Sequence, residues 1–174
     1  KKQPVLVSLE VLLMIFTSTI FSSQISSHMT SIVQEAHMSN RPSWDSIWMN
    51  FARSISERSI DPRFKVGAVV VSFDNTQVLS VGYNGDHAGG PNEVDSLVPG
   101  QSGCIHAEIN ALIKLDYNNP KPKKMYITLS PCKMCAKSII NAGISSIVYE
   151  EEYRDLSGVI LLKESGGIVR KYDR

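Results

Sequence analysis

The sequence predicts an α/β domain in which helices cover both faces of a mixed, five-stranded sheet. Two apolar runs separated by a polar turn predict an antiparallel hairpin, and three later strand patterns alternate with helical patterns. Strands joined through helices run parallel, and their crossovers place the helices against the sheet. The 174 residues are enough for one such domain and an appendage, because a chain of this size buries a substantial core.

The first elements are a helix and the hairpin. Ser43 can cap a helix whose apolar residues recur on one face, and Asp61-Pro62 ends it. Residues 66–71 predict a buried strand, and residues 78–83 predict the strand that returns beside it. The loop at residues 85–103 carries five glycines and two prolines. Loops of this length inside a domain are usually functional or disordered.

The second half of the chain alternates helices and strands. Pro131 suits the first position of a helix, where a missing N–H costs nothing, and Gly143 is a good C-terminal cap for that helix. The predicted helices are residues 105–115, 131–142 and 156–164, and the predicted strands are residues 125–129, 144–149 and 168–172.

Residues 1–40 differ in character from the rest of the chain. Residues 4–21 are strongly apolar with a single charge, Glu10, and Met38 would suit a natural start of translation. We interpret residues 1–40 as an N-terminal extension outside the fold, and residues 41–174 as the functional domain. A targeting or anchoring segment and a helix used in assembly are the alternatives.

Charge and cysteine content argue against two classes of function. A net charge of +1 disfavours a protein that depends on a broad basic surface for nucleic acid, although a small phosphorylated ligand needs only one or two basic groups. Three cysteines are too few and too uneven for a secreted disulfide scaffold. We expect Cys104, which lies outside the motifs below, to be a small buried hydrophobe.

Two short motifs carry the chemistry: His106-Ala107-Glu108 and Pro131-Cys132-Lys133-Met134-Cys135. One histidine nitrogen and two thiolates form a three-ligand zinc site whose fourth position is open to water, and zinc lowers the pKa of such a water to about 7. Glu108 is poorly placed to bind the metal beside His106, but it can reach that water and move protons. A structural zinc site, or an unrelated set of residues, is the alternative.

At these motifs the chain resembles the deoxycytidylate (dCMP) deaminase family of the cytidine deaminase superfamily, whose zinc signature is H-x-E followed by P-C-x-x-C. The resemblance covers about residues 44–173. Its segments are Arg58–Pro62, Val66–Val71, Gly82–Gly85, His106–Leu112, Tyr126–Lys137 and Ile139–Ile144. Gly82–Gly85 and Ile139–Ile144 point most narrowly to dCMP deaminases.

The resemblance implies a three-layer α/β/α sandwich and one catalytic Zn²⁺ ion, with hydrolysis of dCMP to dUMP and ammonia. Members of the family are commonly hexamers that dCTP activates and dTTP inhibits, with Mg²⁺ accompanying the triphosphate. We therefore expect a cytoplasmic enzyme of pyrimidine nucleotide biosynthesis with no stable nucleic-acid partner.

The resemblance also assigns residues around the metal motifs. The predicted substrate contacts are Asn84 with the sugar, the Ala107 N–H with the base carbonyl, the Ser130 carbonyl with the amine, Tyr153 with the nucleotide and Arg154 with the phosphate. The predicted effector contacts are Tyr83, Gly85 and Arg58. The alternatives are a left-handed turn at Asn84, an ordinary surface pair at Tyr153 and Arg154, and a solvated helix-end arginine at Arg58.

The chain departs from the family pattern at two places. Asp86-His87 stands where the family usually has a proline, and Phe64 occupies a position that is more often small and polar. Both departures bear on effector binding more than on catalysis. The loop before His106 offers His87 and no cysteine to a second zinc ion, so we predict one zinc only and expect His87 to be a lid residue.

Other functions share parts of this pattern. They are a tRNA adenosine deaminase, a deaminase of free cytidine or guanine, and a catalytically silent zinc-binding regulator. The near-neutral charge argues against the first. Glu108 argues against the last, because a silent protein does not need a proton shuttle.

Overall fold

Five strands form one mixed sheet in the computed structural model, which describes residues 26, 28–29, 41–98 and 100–173. All five strands belong to the compact unit Ser43–Arg174. Within the described residues its strands are β1 (Gly67–Ser72), β2 (Val78–Tyr83), β3 (Lys123–Leu129), β4 (Ile144–Glu151) and β5 (Ile168–Lys171), and its helices are α1 (Trp44–Ser56), α2 (Ala107–Ile113), α3 (Lys133–Asn141) and α4 (Ser157–Glu164). The predicted α/β class with a mixed five-stranded sheet is confirmed.

The predicted N-terminal extension, residues 1–40, lies outside the described residues except at positions 26, 28 and 29. Its boundary with the domain therefore stays a prediction. Among the residues that the structure describes, no helix has both the length and the apolar character needed to cross a membrane.

The strand order β2-β1-β3-β4-β5 brings several strand ends to one edge of the sheet. β1 is antiparallel to β2 and β3, whereas β3, β4 and β5 are parallel. Tyr83 at the end of β2 pairs with Gly67 at the start of β1, and Leu129 at the end of β3 pairs with Glu151 at the end of β4. The loops that leave these ends meet at the same edge, where open α/β sheets commonly bind ligands.

Helices cover both faces of this sheet. On one face, Met49 and Ala52 of α1 pack against Val69 and other residues of the central strands. On the opposite face, the alternate residues Ala68 and Val70 of β1 belong to one core cluster with buried residues of α2, α3 and α4. All six residues of β1 are buried, as expected for a strand that is covered on both faces. The three layers are those of the predicted sandwich.

The first helix begins as predicted and ends earlier than predicted. The Ser43 hydroxyl caps α1 by accepting a hydrogen bond from the backbone N–H three residues on, at 3.1 Å. α1 ends at Ser56, so the prediction that Asp61-Pro62 ends the helix is wrong. The physical reason is a tighter turn after Ser56. In this turn the Arg58 N–H donates to the Ile55 carbonyl, three residues back, at 3.1 Å, and the α-helical hydrogen-bond pattern ends.

The helices α2 and α3 each begin directly after a predicted metal ligand, because His106 and Cys132 occupy their N-cap positions. Pro131 therefore precedes the N-cap of α3, which corrects the predicted boundary. α2 lies directly on β2: a Cβ atom at Gly82 would lie 2.1 Å from the Ala107 carbonyl oxygen. Only glycine permits this approach, so Gly82 sets the position of the start of α2 above the sheet.

Candidate active site

Three side chains converge where α2 and α3 begin. Nδ1 of His106 lies 3.3 Å from Sγ of Cys135 and 3.6 Å from Sγ of Cys132. All three ligand atoms lie within 4.8 Å of one another. Cys132 and Cys135 are three residues apart, so the first turn of α3 presents both sulfurs on one side. The fold thus brings the three predicted metal ligands together.

The donor atoms and their spacing fit zinc. Zn–N bonds of about 2.0–2.1 Å and Zn–S bonds of about 2.3 Å in a tetrahedral site separate ligand atoms by about 3.5–3.8 Å. The separations of 3.3 and 3.6 Å between Nδ1 and the two sulfurs are close to that range. Cys135 is buried, whereas His106 and Cys132 also line the neighbouring cavity. The ligand set is therefore open on its cavity side.

Hydrogen bonds within the cluster distinguish the two thiols. Sγ of Cys132 accepts hydrogen bonds from Cys135 and His106, which lowers the pKa of Cys132. The same bond to Cys132, together with burial, raises the pKa of Cys135. Cys132 lies at the amino end of α3, where the helix dipole also favours a thiolate. A bound dication would displace the remaining thiol proton, because zinc binds deprotonated sulfur.

Glu108 is the buried carboxyl group of the site. It lies in the first turn of α2, is 4% exposed and lines the same cavity as His106. Burial raises the pKa of Glu108, so this carboxyl retains a proton more readily than a solvated glutamate does. Such a group beside a metal site is suited to accept a proton and to return it.

A cavity of about 460 Å³ opens beside the ligand cluster. It is lined by all five predicted substrate residues, Asn84, Ala107, Ser130, Tyr153 and Arg154. Its volume falls in the range of small-ligand sites. The structure thus brings the metal ligands, the buried carboxyl and the predicted substrate residues to one cavity, although their individual roles stay predictions.

Asn84 is buried, and both ends of its side-chain amide contact the backbone of an earlier loop. Its Oδ1 accepts a hydrogen bond from the Val66 N–H at 2.7 Å, and its Nδ2 donates to the Phe64 carbonyl at 2.8 Å. The backbone of Asn84 is not left-handed, so the alternative of a left-handed turn is wrong. The amide has one further N–H and one further lone pair for a ligand.

Tyr153 and Arg154 lie at the rim of the cavity. The Tyr153 N–H donates to Oγ of Ser130 at 2.8 Å, and the Ser130 N–H donates to the Glu151 carbonyl at 2.8 Å. The guanidinium carbon of Arg154 lies 5.6 Å from the centroid of the Tyr153 ring. Tyr153 is thus anchored to the residue after β3 and lines the cavity together with Arg154, and the predicted substrate contacts of the pair stay predictions.

The predicted effector residues Tyr83 and Gly85 do not line the cavity and instead bond to residues on either side of the metal ligand His106 in the sequence. Gly85 and Ile105 exchange backbone hydrogen bonds of 3.1 and 2.8 Å, and Nδ2 of Asn110 donates to the Tyr83 carbonyl at 2.8 Å. Gly85 is therefore fixed to the residue that precedes His106, and Tyr83 is fixed to a residue of α2. Arg58, the third predicted effector residue, follows α1 and is also outside the cavity lining.

Sequence reasoning missed Asp61 and Arg63, which also line the cavity. Asp61 could have been found, because aspartates before a turn commonly bind the backbone two residues on, and its Oδ1 accepts from the Arg63 N–H at 2.8 Å. The guanidinium of Arg63 donates to the carbonyls of Leu97 and Val98 at 2.6 and 3.1 Å. No local pattern encodes contacts between such distant parts of the chain.

Cys104 and His87 are two further residues for which the sequence predicts a role. Cys104 is partly exposed and lines the cavity, so the prediction that it is buried is wrong. The reason is its place in the loop that passes over the cavity before α2. His87 contacts Asp86, with 2.8 Å between Nδ1 and Oδ1, and does not line the cavity. Its predicted role as a lid residue stays a prediction.

Comparison with known proteins agrees with the fold and the site. The family model for the cytidine and deoxycytidylate deaminase zinc-binding region matches residues 42–151. The deoxycytidylate deaminase of Mycobacterium phage D29 is 35% identical over 128 residues, which cover 65% of this chain and 98% of the phage protein. The deoxycytidylate deaminase of Homo sapiens is 31% identical over 145 residues, which cover 74% of this chain and 79% of the human protein.

A solved structure extends the likeness to three dimensions. The crystal structure of dCMP deaminase from the cyanophage S-TIM5, in complex with dCMP and dUMP, matches with a TM-score of 0.67 and 33% sequence identity. The match covers 76% of this chain and 98% of the cyanophage chain.

Geometry and comparison agree on one class of protein, the zinc-dependent deaminases of the cytidine deaminase superfamily. The matched zinc-binding region spans more than half of the chain, and the phage relative is covered almost from end to end. The chain belongs to the deoxycytidylate deaminase family. The family and the enzyme class predicted from the sequence are confirmed.

Proposed function

We propose that this chain hydrolyses dCMP to dUMP and ammonia. The observation that carries the proposal is that the His/Cys/Cys cluster and the buried Glu108 face one cavity with Arg154 at its rim. In deoxycytidine monophosphate the base amine lies at one end and the phosphate at the other. The amine suits the metal ligands and Glu108, and the phosphate suits Arg154. The dCMP deaminases among the relatives, one of them solved with dCMP and dUMP, support the same substrate.

The chemistry follows from the ligand set and the carboxyl. Zinc, when held by His106, Cys132 and Cys135, supplies a Lewis acid that lowers the pKa of water. Glu108 accepts a proton from the attacking water and delivers it to the ring nitrogen, and it then transfers the second proton of that water to the departing amine. Because Glu108 is only 4% exposed, the proton that it accepts returns to the substrate instead of escaping to bulk water.

Backbone groups at the two helix starts orient the base. The Ala107 N–H donates to the base carbonyl, and the Ser130 carbonyl accepts from the amine. Asn84 binds the sugar with the N–H and lone pair that its backbone contacts leave, while Tyr153 packs on the nucleotide and Arg154 pairs with the phosphate. The Tyr153 N–H donates a hydrogen bond to the Ser130 hydroxyl. This bond connects Ser130, which recognises the amine, with the segment that carries Arg154, which recognises the phosphate.

The zinc-loaded full chain should release ammonia from dCMP, and not from deoxycytidine or adenosine-containing tRNA. The cavity supplies a cation for one phosphate, and the net charge of +1 does not suit a tRNA. The measurement is ammonia release from these substrates and from dCTP in parallel. Turnover of tRNA or of the free nucleoside in place of dCMP would refute the substrate, and absence of turnover with zinc bound would favour a silent regulator.

We also propose that dCTP activates and dTTP inhibits this enzyme as a cytoplasmic hexamer, with Mg²⁺ accompanying the triphosphate. The position of Gly82–Gly85 supports the idea of regulation. Its backbone pairing with Ile105 links the segment to the residue beside His106. A ligand that shifts Gly85 would therefore act on the metal-ligand helix directly.

Replacement of Arg58 by alanine should raise the dCTP concentration needed for half-maximal activation by about tenfold or more, because a hydrogen bond to a charged group contributes about 1.5–3 kcal/mol. Turnover of dCMP without dCTP should change little. The measurement is dCMP turnover against dCTP concentration in the presence of Mg²⁺. Arg41→Ala, at an exposed arginine before α1, is the matched control. An unchanged half-activating concentration would refute the role of Arg58.

A further inference from the structure

Asp61 is a buried carboxylate side chain on the wall of the active-site cavity. The residue is only 5% exposed, and it lines the cavity together with Asn84 and Glu108. It lies outside the metal-ligand cluster and has no part in the chemistry assigned to Glu108. A buried carboxylate is stable only where hydrogen bonds replace those that it made to water. The partners of its two oxygens therefore indicate what Asp61 does.

The protein satisfies one oxygen of this carboxylate and leaves the other free. Oδ1 accepts hydrogen bonds from the backbone N–H groups of Arg63 at 2.8 Å and of Phe64 at 3.2 Å. Oδ2 accepts none from the residues that the structure describes, and it is not sealed inside the protein either. Because Asp61 lines the cavity, Oδ2 is the oxygen that a ligand in this cavity can reach.

Asp61 and Asn84 lie beside the same part of the cavity, because they bind opposite ends of one residue. Oδ1 of Asp61 accepts from the Phe64 N–H, and Nδ2 of Asn84 donates to the Phe64 carbonyl at 2.8 Å. Oδ1 of Asn84 also accepts from the Val66 N–H at 2.7 Å. Both side chains are thus held in position before a ligand binds, which reduces the entropy lost on binding.

The free groups of these two side chains are complementary to a hydroxyl group. The Asn84 amide keeps one N–H that can donate, whereas Oδ2 of a carboxylate can only accept. A hydroxyl group between them would accept from Asn84 with its oxygen and donate its proton to Asp61. The sugar of dCMP carries one hydroxyl group, the 3′-hydroxyl, and this is the sugar that Asn84 is proposed to bind.

We propose that Asp61 binds the 3′-hydroxyl group of the nucleotide and restricts the site to nucleotides in which that hydroxyl group is free. This proposal rests on the proposed deamination of dCMP and on the sugar contact of Asn84. A nucleotide that lacks the 3′-hydroxyl group would cover Oδ2 without giving it a partner, which lowers affinity. A 3′-phosphate would bring negative charge against a buried carboxylate, where water screens the repulsion poorly. The same repulsion excludes a cytosine within a DNA strand, because its 3′-oxygen carries a phosphodiester.

The test compares three substrates of the zinc-loaded full chain, namely dCMP, 2′,3′-dideoxycytidine 5′-monophosphate and deoxycytidine 3′,5′-bisphosphate. We expect the wild type to favour dCMP over the dideoxy analogue by about tenfold to a hundredfold in kcat/KM, the effect of one hydrogen bond to a charged group. The preference over the bisphosphate should be at least as large. Asp61→Asn keeps an oxygen for the two backbone N–H groups and replaces Oδ2 by an uncharged NH₂ group. This variant should lower both preferences by about tenfold.

The ratios between substrates distinguish recognition from a structural role. If Asp61 only stabilised the turn after α1, its replacement would slow all three substrates in parallel and leave the ratios unchanged. Asp61→Ser is a second variant, should Asp61→Asn not fold, because serine keeps a turn-capping oxygen and lacks the second oxygen. Asp116→Asn is the control. Asp116 is exposed, its Oδ1 also accepts from a backbone N–H two residues on, at 2.9 Å, and it does not line the cavity.

The outcomes separate the two proposals. Unchanged ratios in Asp61→Asn, or a wild type that deaminates the dideoxy analogue as well as dCMP, would overturn the role of Asp61 and leave dCMP deamination standing. Binding of dUMP and 2′,3′-dideoxyuridine 5′-monophosphate, measured by calorimetry, gives a readout that does not need turnover. A wild type that binds dUMP more tightly but turns over no substrate would overturn the proposed function. In that case, loss of the binding preference in Asp61→Asn would still support the role of Asp61, and its retention would overturn it.

Discussion

Replacement of Glu108 by glutamine should lower kcat for dCMP by about 10²–10⁴-fold, the usual contribution of a general acid–base group. Glutamine has nearly the same shape, so the buried position should remain filled and the fold intact. The amide can neither take a proton from water nor deliver one to the ring. The measurements are steady-state ammonia release, zinc content and the melting temperature, of which only the first should change strongly.

The matched control for Glu108 is Glu152→Gln. Glu152 lines the same cavity, but its side chain is 48% exposed and lies 3.5 Å from Lys171. Its replacement should leave most of the turnover. Substantial residual deamination by Glu108→Gln, comparable to that of the control, would remove Glu108 from the mechanism.

Replacement of Cys135 by serine should abolish stabilisation of the domain by zinc. A ligand present at about 1,000 times its Kd stabilises the folded state by about 4.1 kcal/mol. For a protein of this size, each 1 kcal/mol shifts Tm by about 2–4 °C. Zinc at that excess should therefore raise Tm of the wild type by roughly 10 °C, and the serine variant should show little of this shift. The measurement is a thermal melt with and without zinc, together with zinc content after gel filtration.

Cys104 provides the control for this experiment within the same cavity. Cys104→Ser removes a thiol that lines the cavity but does not belong to the ligand cluster. We expect this variant to keep the zinc-dependent shift in Tm. Full zinc occupancy in Cys135→Ser would contradict the ligand set, whereas loss of zinc in both variants would point to a wider role of thiols in the site.

Local spacing is enough to predict the chemical part of the site. Cys132 and Cys135 are three residues apart at a helix start, so local helical geometry alone places their sulfurs close together. The position of His106 is harder to predict, because His106 lies close to the cysteines only if two helices begin at the same edge of the sheet. The strand–helix alternation predicts that edge, since the strands that precede the helices run parallel.

The walls of the cavity could not be predicted in the same way. Arg63 reaches the carbonyls of Leu97 and Val98, and Asn84 reaches back to Val66. These contacts join segments that no common sequence pattern relates. They depend on the loop conformations, which are determined only once the sheet has formed. For the same reason the partial exposure of Cys104, which lies on such a loop, was not foreseen.

Gly82 has a consequence for the evolution and engineering of this enzyme. It does not line the cavity, yet a methyl group there would collide with the Ala107 carbonyl and displace the turn that carries His106 and Glu108. Substitutions at position 82 should therefore not be tolerated during evolution, although the residue does not contact the substrate. Libraries that seek a new base preference should keep codon 82 constant and concentrate diversity at Arg63, Phe64 and Ser102, which line the cavity and lie outside the metal-ligand cluster.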